Sequence, residues 1–208
     1  MNRISTTSNE EEQLLARQCA AQERKAQSQF YQLYAGRLFT VCLRFMPSRA
    51  EAEDIFHDGM LIIFERLKQF TWQGNGSLLK WACQVMRNEC LQKLRKTSRF
   101  RMISLDESLE EEGTLGSEIE AHMASLHDDS IETSLVQKIP MAKILQLIST
   151  MPDGYRIVLN LVLFDGLSHR EAAKLMGINE KSSSSQYARA KRFLAQKIKQ
   201  IISNEQNE

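Results

Sequence analysis

Six bases lie between Lys181 and Lys199 (Lys181, Arg189, Lys191, Arg192, Lys197 and Lys199), with no acid among them. Six more (Arg87, Lys93, Arg95, Lys96, Arg99 and Arg101) stand between Arg87 and Arg101 beside the single acid Glu89. Ammonium and guanidinium groups at that density neutralise phosphates and release counterions, so each stretch is a candidate polyanion surface. Bond-making chemistry is poorly represented. His57-Asp58 and His169-Arg170-Glu171 are local His/acid pairs with no accompanying nucleophile motif, and the chain has no P-loop, GxGxxG or HExxH. His122, His127, Asp128 and Asp129 are a sparse ligand set inside an acidic stretch that reads as a solvated spacer. No catalysis, cofactor or metal is expected. Cys19, Cys42, Cys83 and Cys90 form neither CxxC pairs nor zinc-finger spacing. They read as small buried hydrophobes in a reducing compartment.

The two basic stretches need elements to hold them, and helices are the only regular elements the pattern suggests. Phe30, Tyr34, Leu38, Val41 and Phe45 recur at three- and four-residue steps, one face of a helix over 30–46 that Pro47-Ser48 breaks. Phe56, Met60, Ile63, Leu67 and Phe70 form the stripe of a second helix over 51–70, with Glu51, Glu53 and Asp54 at its positive end. The glycine-rich loop Thr71-Trp72-Gln73-Gly74-Asn75-Gly76 follows, and Ser77 is the expected N-cap of a helix over 78–96. A weaker helix is predicted over 14–27. From Met102 to Val136 there are ten acids and no Lys or Arg, a linker whose scattered apolar residues cannot offset the entropy of ordering it.

Helices resume after the linker. Met141, Ile144, Leu145 and Ile148 make one stripe and Tyr155, Val158, Leu159 and Val162 the next, divided by Met151-Pro152-Asp153. Then come a capping box Ser168–Glu171, the paired small residues Ala172 and Ala173, and Gly177, suited to a left-handed turn. Asn179 can cap a basic helix over 180–202. Short helix, glycine turn and basic helix read as a helix-turn-helix. The expected fold is all-α: a four-helix domain over 10–97, an acidic linker over 98–137 and a helix-turn-helix domain over 138–203. The total of 27 Lys+Arg against 26 Asp+Glu in 208 residues conceals this division. No apolar run reaches membrane-spanning length and Met1–Glu10 has no apolar signal region, so a cytoplasmic chain without membrane insertion is expected.

Three stretches together resemble bacterial sigma factors of the extracytoplasmic-function group. Ala52-Glu53-Asp54-Ile55-Phe56-His57-Asp58, continuing to Phe64-Glu65-Arg66-Leu67, is similar to the long helix of their second conserved region. Trp81, Arg87-Asn88 and Leu94-Arg95 resemble the helix after it. Met151-Pro152, Arg156, Gly166-Leu167-Ser168, Glu171-Ala172-Ala173, Met176-Gly177-Ile178 and Gln186 to Lys191 resemble the fourth region. Departures are Gln27 in place of an aromatic, Gly59 within the long helix, Gln92 in place of Asp, and Ser184 in place of a frequent Lys.

The resemblance implies binding to core RNA polymerase and promoter DNA, with a role for each surface. Glu53, Asp54, Asp58, Glu65 and Arg66 would face the clamp helices of the polymerase's largest subunit; periodicity alone reads them as a solvated face. The loop residues Trp72, Gly74, Asn75, Gly76 and Ser77 would capture a base flipped from the downstream (−10) element, with Arg87, Asn88, Arg95 and Lys96 tracking the nearby backbone. Trp81 reads as core or as stacking platform. For the upstream (−35) element, Lys181, Ser182, Ser183, Ser185 and Gln186 would face the major groove, Lys181 and Gln186 as the better base readers, with Arg189, Lys191 and Arg192 on phosphates. The acidic linker would enter the polymerase's RNA exit path or serve as a solvated spacer. An anti-sigma factor is left open as a further partner. The competing reading is a helix-turn-helix regulator that binds DNA without joining the polymerase.

Overall fold

The computed structural model describes residues 9–97 and 140–205, so the acidic linker and its two readings lie outside the described residues. The chain divides into two compact units, Met1–Lys93 and Leu94–Glu208, and no strand occurs among the described residues.

The first unit is built on α1 (Asn9–Ala20), α2 (Arg24–Phe45), α3 (Arg49–Arg66) and all but the last three residues of α4 (Ser77–Lys96), with a 3-10 turn at Leu67–Gln69. The helix expected over 14–27 is in fact two helices. Gln22 sits at φ +61, and the Gln22 and Glu23 N–H groups donate back to Cys19 O (3.0 Å) and Gln18 O (3.1 Å). That bonding closes a helix with a left-handed residue, here without the glycine that normally signals it. Pro47-Ser48 behaves as expected. Ser48 Oγ accepts from the Glu51 N–H at 3.2 Å and so caps α3.

The core of this unit follows the predicted stripes. Phe30, Leu38 and Phe45 of α2, Met60 and Ile63 of α3, and Leu78, Ala82 and Met86 of α4 are all buried. Full burial of one such large side chain stabilises by about 1.5–3 kcal/mol. Phe30 meets Tyr34 and Phe64 edge-on, with centroids 5.0 and 5.4 Å apart. Gly59, out of place by helix propensity, has a packing reason. A Cβ there would overlap Met86 Sδ and lie 2.9 Å from its Cε, so the end of the Met86 side chain of α4 rests on the bare backbone of α3 and would have to shift for any larger residue.

The second unit comprises α5 (Met141–Ser149), α6 (Asp153–Leu159), α7 (His169–Met176) and α8 (Glu180–Glu205). A π-helical turn, Asn160–Phe164, extends α6. The α-helical periodicity of Tyr155 to Val162 gives no sign of it. The widened turn lets the Asp165 N–H reach Asn160 O at 3.0 Å, and Gly166 then reverses the chain at φ +68. Arg156 is 1% exposed. Its guanidinium donates to Met151 O (2.9 Å) and Ser149 O (3.3 Å) and pairs with Asp153. One side chain thus satisfies carbonyls left over where α5 ends. α8 packs against both α6 and α7.

Candidate nucleic-acid interface

α7 is built to hold α8. Ser168 Oγ accepts from the Glu171 N–H (3.3 Å), and Glu171 Oε2 accepts from the Ser168 N–H (2.9 Å) and hydroxyl (2.7 Å), a complete capping box. Those bonds, the Ser168 hydroxyl first and then its backbone N–H, hold the Glu171 carboxyl below the usual value. Gly177 turns the chain at φ +70, and the Ile178 N–H donates to Ala173 O at 3.1 Å. Ala172 and Ala173 are buried, leaving room for a close crossing. Asn179 Oδ1 accepts from the Ser182 N–H at 2.7 Å and caps α8 as expected.

The buried stripe of α8 decides which of its residues reach the surface. Ser183, Ala190 and Ile198 are buried. Ser183 is therefore corrected from a base reader to a packing residue. Its hydroxyl lies 3.2 Å from His169 Nδ1 on α7, and the His169 ring packs edge-on to Tyr187 at 5.3 Å. One helical step of 100° carries the next position outward. Ser184, not among the predicted readers, is exposed, as are Lys181, Ser185, Lys191 and Arg192. Ser182, Gln186 and Arg189 are half-buried. Gln186 Oε1 is buried with no hydrogen-bond partner among the described residues, so only part of its amide is offered outward. Lys191 Nζ sits 5.2 Å over the Tyr187 ring, and burial pushes the Tyr187 hydroxyl up in pKa.

In the first unit the glycine-rich loop is tied down from below. Gly74 and Gly76 take φ +118 and +80, values open to glycine and strained for other residues. Ser77 is the first residue of α4 rather than its cap; its Oγ accepts from the Gln73 N–H at 3.2 Å, closing the loop on itself. The Gly76 N–H donates to Glu12 Oε2 at 2.7 Å. Glu12 is 2% exposed, and sequence reasoning missed it because an acid in a first helical turn ordinarily signals only dipole compensation. Asn75 is exposed at the loop tip. Trp72 is half-buried with Nε1 enclosed and unpartnered among the described residues. Trp81 is half-buried as well, its ring tilted on Phe70 at 5.3 Å. Along α4, Asn88, Arg95 and Lys96 are exposed and Arg87 is half-buried.

On α3, Asp54, Asp58 and Glu65 are exposed along one ridge with Leu61 between them, and Leu61 is 70% exposed. A leucine off the apolar stripe Phe56, Met60 and Ile63 was the available signal for it. Glu53 pairs with Arg49 at 2.8 Å, and Arg66 lies 3.8 Å from Glu89 of α4, so neither is part of that ridge alone. Among the described residues no group of three His, Cys, Asp or Glu could hold a metal, and no helix is long and apolar enough to cross a membrane.

A complete helix-turn-helix with a basic outer face, in one chain with a helical unit bearing a glycine loop and a basic helix, defines a two-module DNA-binding protein. Residues 30–100 match the family model of sigma-70 region 2, and residues 141–194 that of sigma-70 region 4. Together the two span more than half of the chain, which belongs to the sigma-70 family, in its extracytoplasmic-function (ECF) group. It is 26% identical over 181 residues to the ECF RNA polymerase sigma factor BldN of Streptomyces coelicolor, with 87% of this chain aligned. It spans 63% of that relative's length. To the ECF RNA polymerase sigma factor SigW of Bacillus subtilis it is 22% identical over 169 residues, covering 81% of this chain and 87% of the other. A solved structure, the sigma factor RpoE of Bartonella quintana in complex with the anti-sigma factor NepR, matches at 18% identity and TM-score 0.47, covering 84% of this chain and 96% of that one.

Proposed function

We propose that this chain is an initiation factor that binds core RNA polymerase, reads the −35 and −10 promoter elements and promotes opening of the DNA between recognition and synthesis. The observation that carries the reading is the pairing, in family order, of a region 2 match containing the glycine loop and basic α4 with a region 4 match containing the helix-turn-helix. A regulator acting without the polymerase needs the second module but has no use for the first.

Each surface then has a task. The α3 ridge of Asp54, Asp58, Leu61 and Glu65 docks on the polymerase clamp helices, an apolar contact rimmed by charges that fix its register. Lys181, Ser184, Ser185 and the outward part of Gln186 meet base edges of the upstream element, while Arg189, Lys191 and Arg192 hold phosphates. The loop from Trp72 to Ser77 receives an extruded base, with Asn75 supplying amide donor and acceptor, and Arg87, Asn88, Arg95 and Lys96 follow the single strand. The two modules are proposed to extend over 10–97 and 138–203 with 98–137 between them.

The test is run-off transcription on a genomic promoter library with purified core polymerase, with and without the chain. New starts sharing two elements at a fixed spacing are expected. Tight duplex binding by the chain alone, without polymerase binding or new starts, would leave the stand-alone regulator.

A further inference from the structure

We infer that Glu12, which precedes the residues matched to region 2, is a positioning residue for base capture by the glycine loop. The inference rests on the function proposed above and assigns part of it to α1. Glu12 and Arg156 are the charged residues buried among those described. Arg156 serves the second unit, whereas Glu12 reaches across 64 positions of sequence to the Gly76 N–H at 2.7 Å. A charge-assisted bond to a backbone N–H fixes a peptide plane more firmly than a neutral one.

The plane it fixes matters for two reasons. Gly76 sits between Asn75, the exposed amide of the loop tip, and Ser77, where α4 begins. The next peptide, Gly76–Ser77, is already held, its N–H donating to Gly74 O (3.1 Å) and its carbonyl accepting from the Lys80 N–H (3.0 Å), so the Asn75–Gly76 plane that Glu12 fixes sets how Asn75 is joined to α4. The glycines at 74 and 76 leave the backbone free to wander. Without an outside tether the Asn75 side chain would sample many directions, and a flipped base would find a reader in place only part of the time. Glu12 supplies that tether from a separate helix. It also fills with a resident carboxylate the N–H adjoining the helix start, a position that otherwise attracts phosphate. The loop is thereby kept for a base rather than for the backbone.

Reach and charge separate cleanly by substitution. Glu12→Gln keeps the reach and an acceptor oxygen, Glu12→Asp keeps the charge but is one methylene short, and Glu12→Ala keeps neither. With core polymerase and a promoter carrying 2-aminopurine in the −10 element, Glu12→Asp and Glu12→Ala are expected to lower the rate of opening about tenfold. Glu12→Gln stays within about threefold of the native chain. Affinity for core polymerase and Trp-detected unfolding of Glu12→Asp remain near native, and its Gly76 amide loses protection from hydrogen exchange. Opening by Glu12→Asp at the native rate, or equal loss in Glu12→Gln and Glu12→Asp, overturns the positioning role while leaving the proposed function intact. A native chain that opens no promoter with polymerase overturns the function itself.

Discussion

Replacing Arg156 by Met should unfold the second unit preferentially. The side chain is 1% exposed and makes two carbonyl bonds, to Met151 O at 2.9 Å and Ser149 O at 3.3 Å. Met fills similar space but leaves both carbonyls without that donor. At about 1.5 kcal/mol for each charge-assisted bond the loss is near 3 kcal/mol. Asp153, whose side chain is 24% exposed, recovers water and adds little. A small helical unit holds only a few kcal/mol in all, at roughly 0.05–0.15 kcal/mol per residue. The loss therefore corresponds to a fall of more than about 10 °C in its melting temperature. The chain carries its own internal control. Both tryptophans, Trp72 and Trp81, lie in the first unit, whereas helical ellipticity reports both units. In Arg156→Met the ellipticity transition should split, with an early phase that tryptophan fluorescence does not see. Asp153→Asn keeps both carbonyl bonds but strips the buried guanidinium of its counter-charge, and should destabilise the same unit by about 3 kcal/mol. A tryptophan transition that moves with the ellipticity transition, or an unsplit melt at the native temperature, would show that Arg156 does not hold the second unit together.

Gly59→Ala gains about 1 kcal/mol in helix propensity, but its Cβ makes the flexible Sδ–Cε end of Met86 shift, which offsets that gain, so the first unit's stability should change by less than about 1 kcal/mol. In a Met86→Ala background the same change should stabilise by the full propensity gain, and denaturant titration followed by tryptophan fluorescence reads the difference. Ser183→Val should lower ellipticity-detected stability with no change in which upstream bases are preferred. Ser185→Asp should leave stability near native and weaken promoter binding, as selection from a randomised −35 element would show. Because Glu171 titrates below its ordinary value, its bonds to Ser168 contribute fully above the ordinary carboxylate range, and that contribution fades as pH falls through the depressed value. Glu171→Gln should flatten this acid-side slope in the second unit's melting temperature.

Much of the architecture was legible because it rests on local signals. The capping box Ser168–Glu171, the turn at Gly177 and the cap at Asn179 each act within five residues, and all three form as their residue types dictate. The apolar stripes of α2 and α3 follow the same period the sequence carries. Where reasoning fell short, the deciding partner was distant or the rule was broken without its usual sign. Ser183 and Ser184 look alike in a run of four serines, and only the packing of α8 on α7 separates buried from exposed. The break after α1 uses Gln22 where a glycine would have announced it. Glu12 finds its donor in a loop far along the chain, and the close meeting of Gly59 with Met86 is likewise tertiary.

The tether from Glu12 to Gly76 also orders events at the ribosome. Sixty-four positions separate the carboxylate from its donor, and at roughly 5–20 residues per second they emerge about 3–13 s apart. Through that interval α1 has left the exit tunnel while the loop that completes its site has not been made. A carboxylate gives up its hydration only when its partner is at hand. Glu12 therefore keeps that end of α1 in water until the loop is made, although α2 and α3 are by then there for the rest of α1 to pack against.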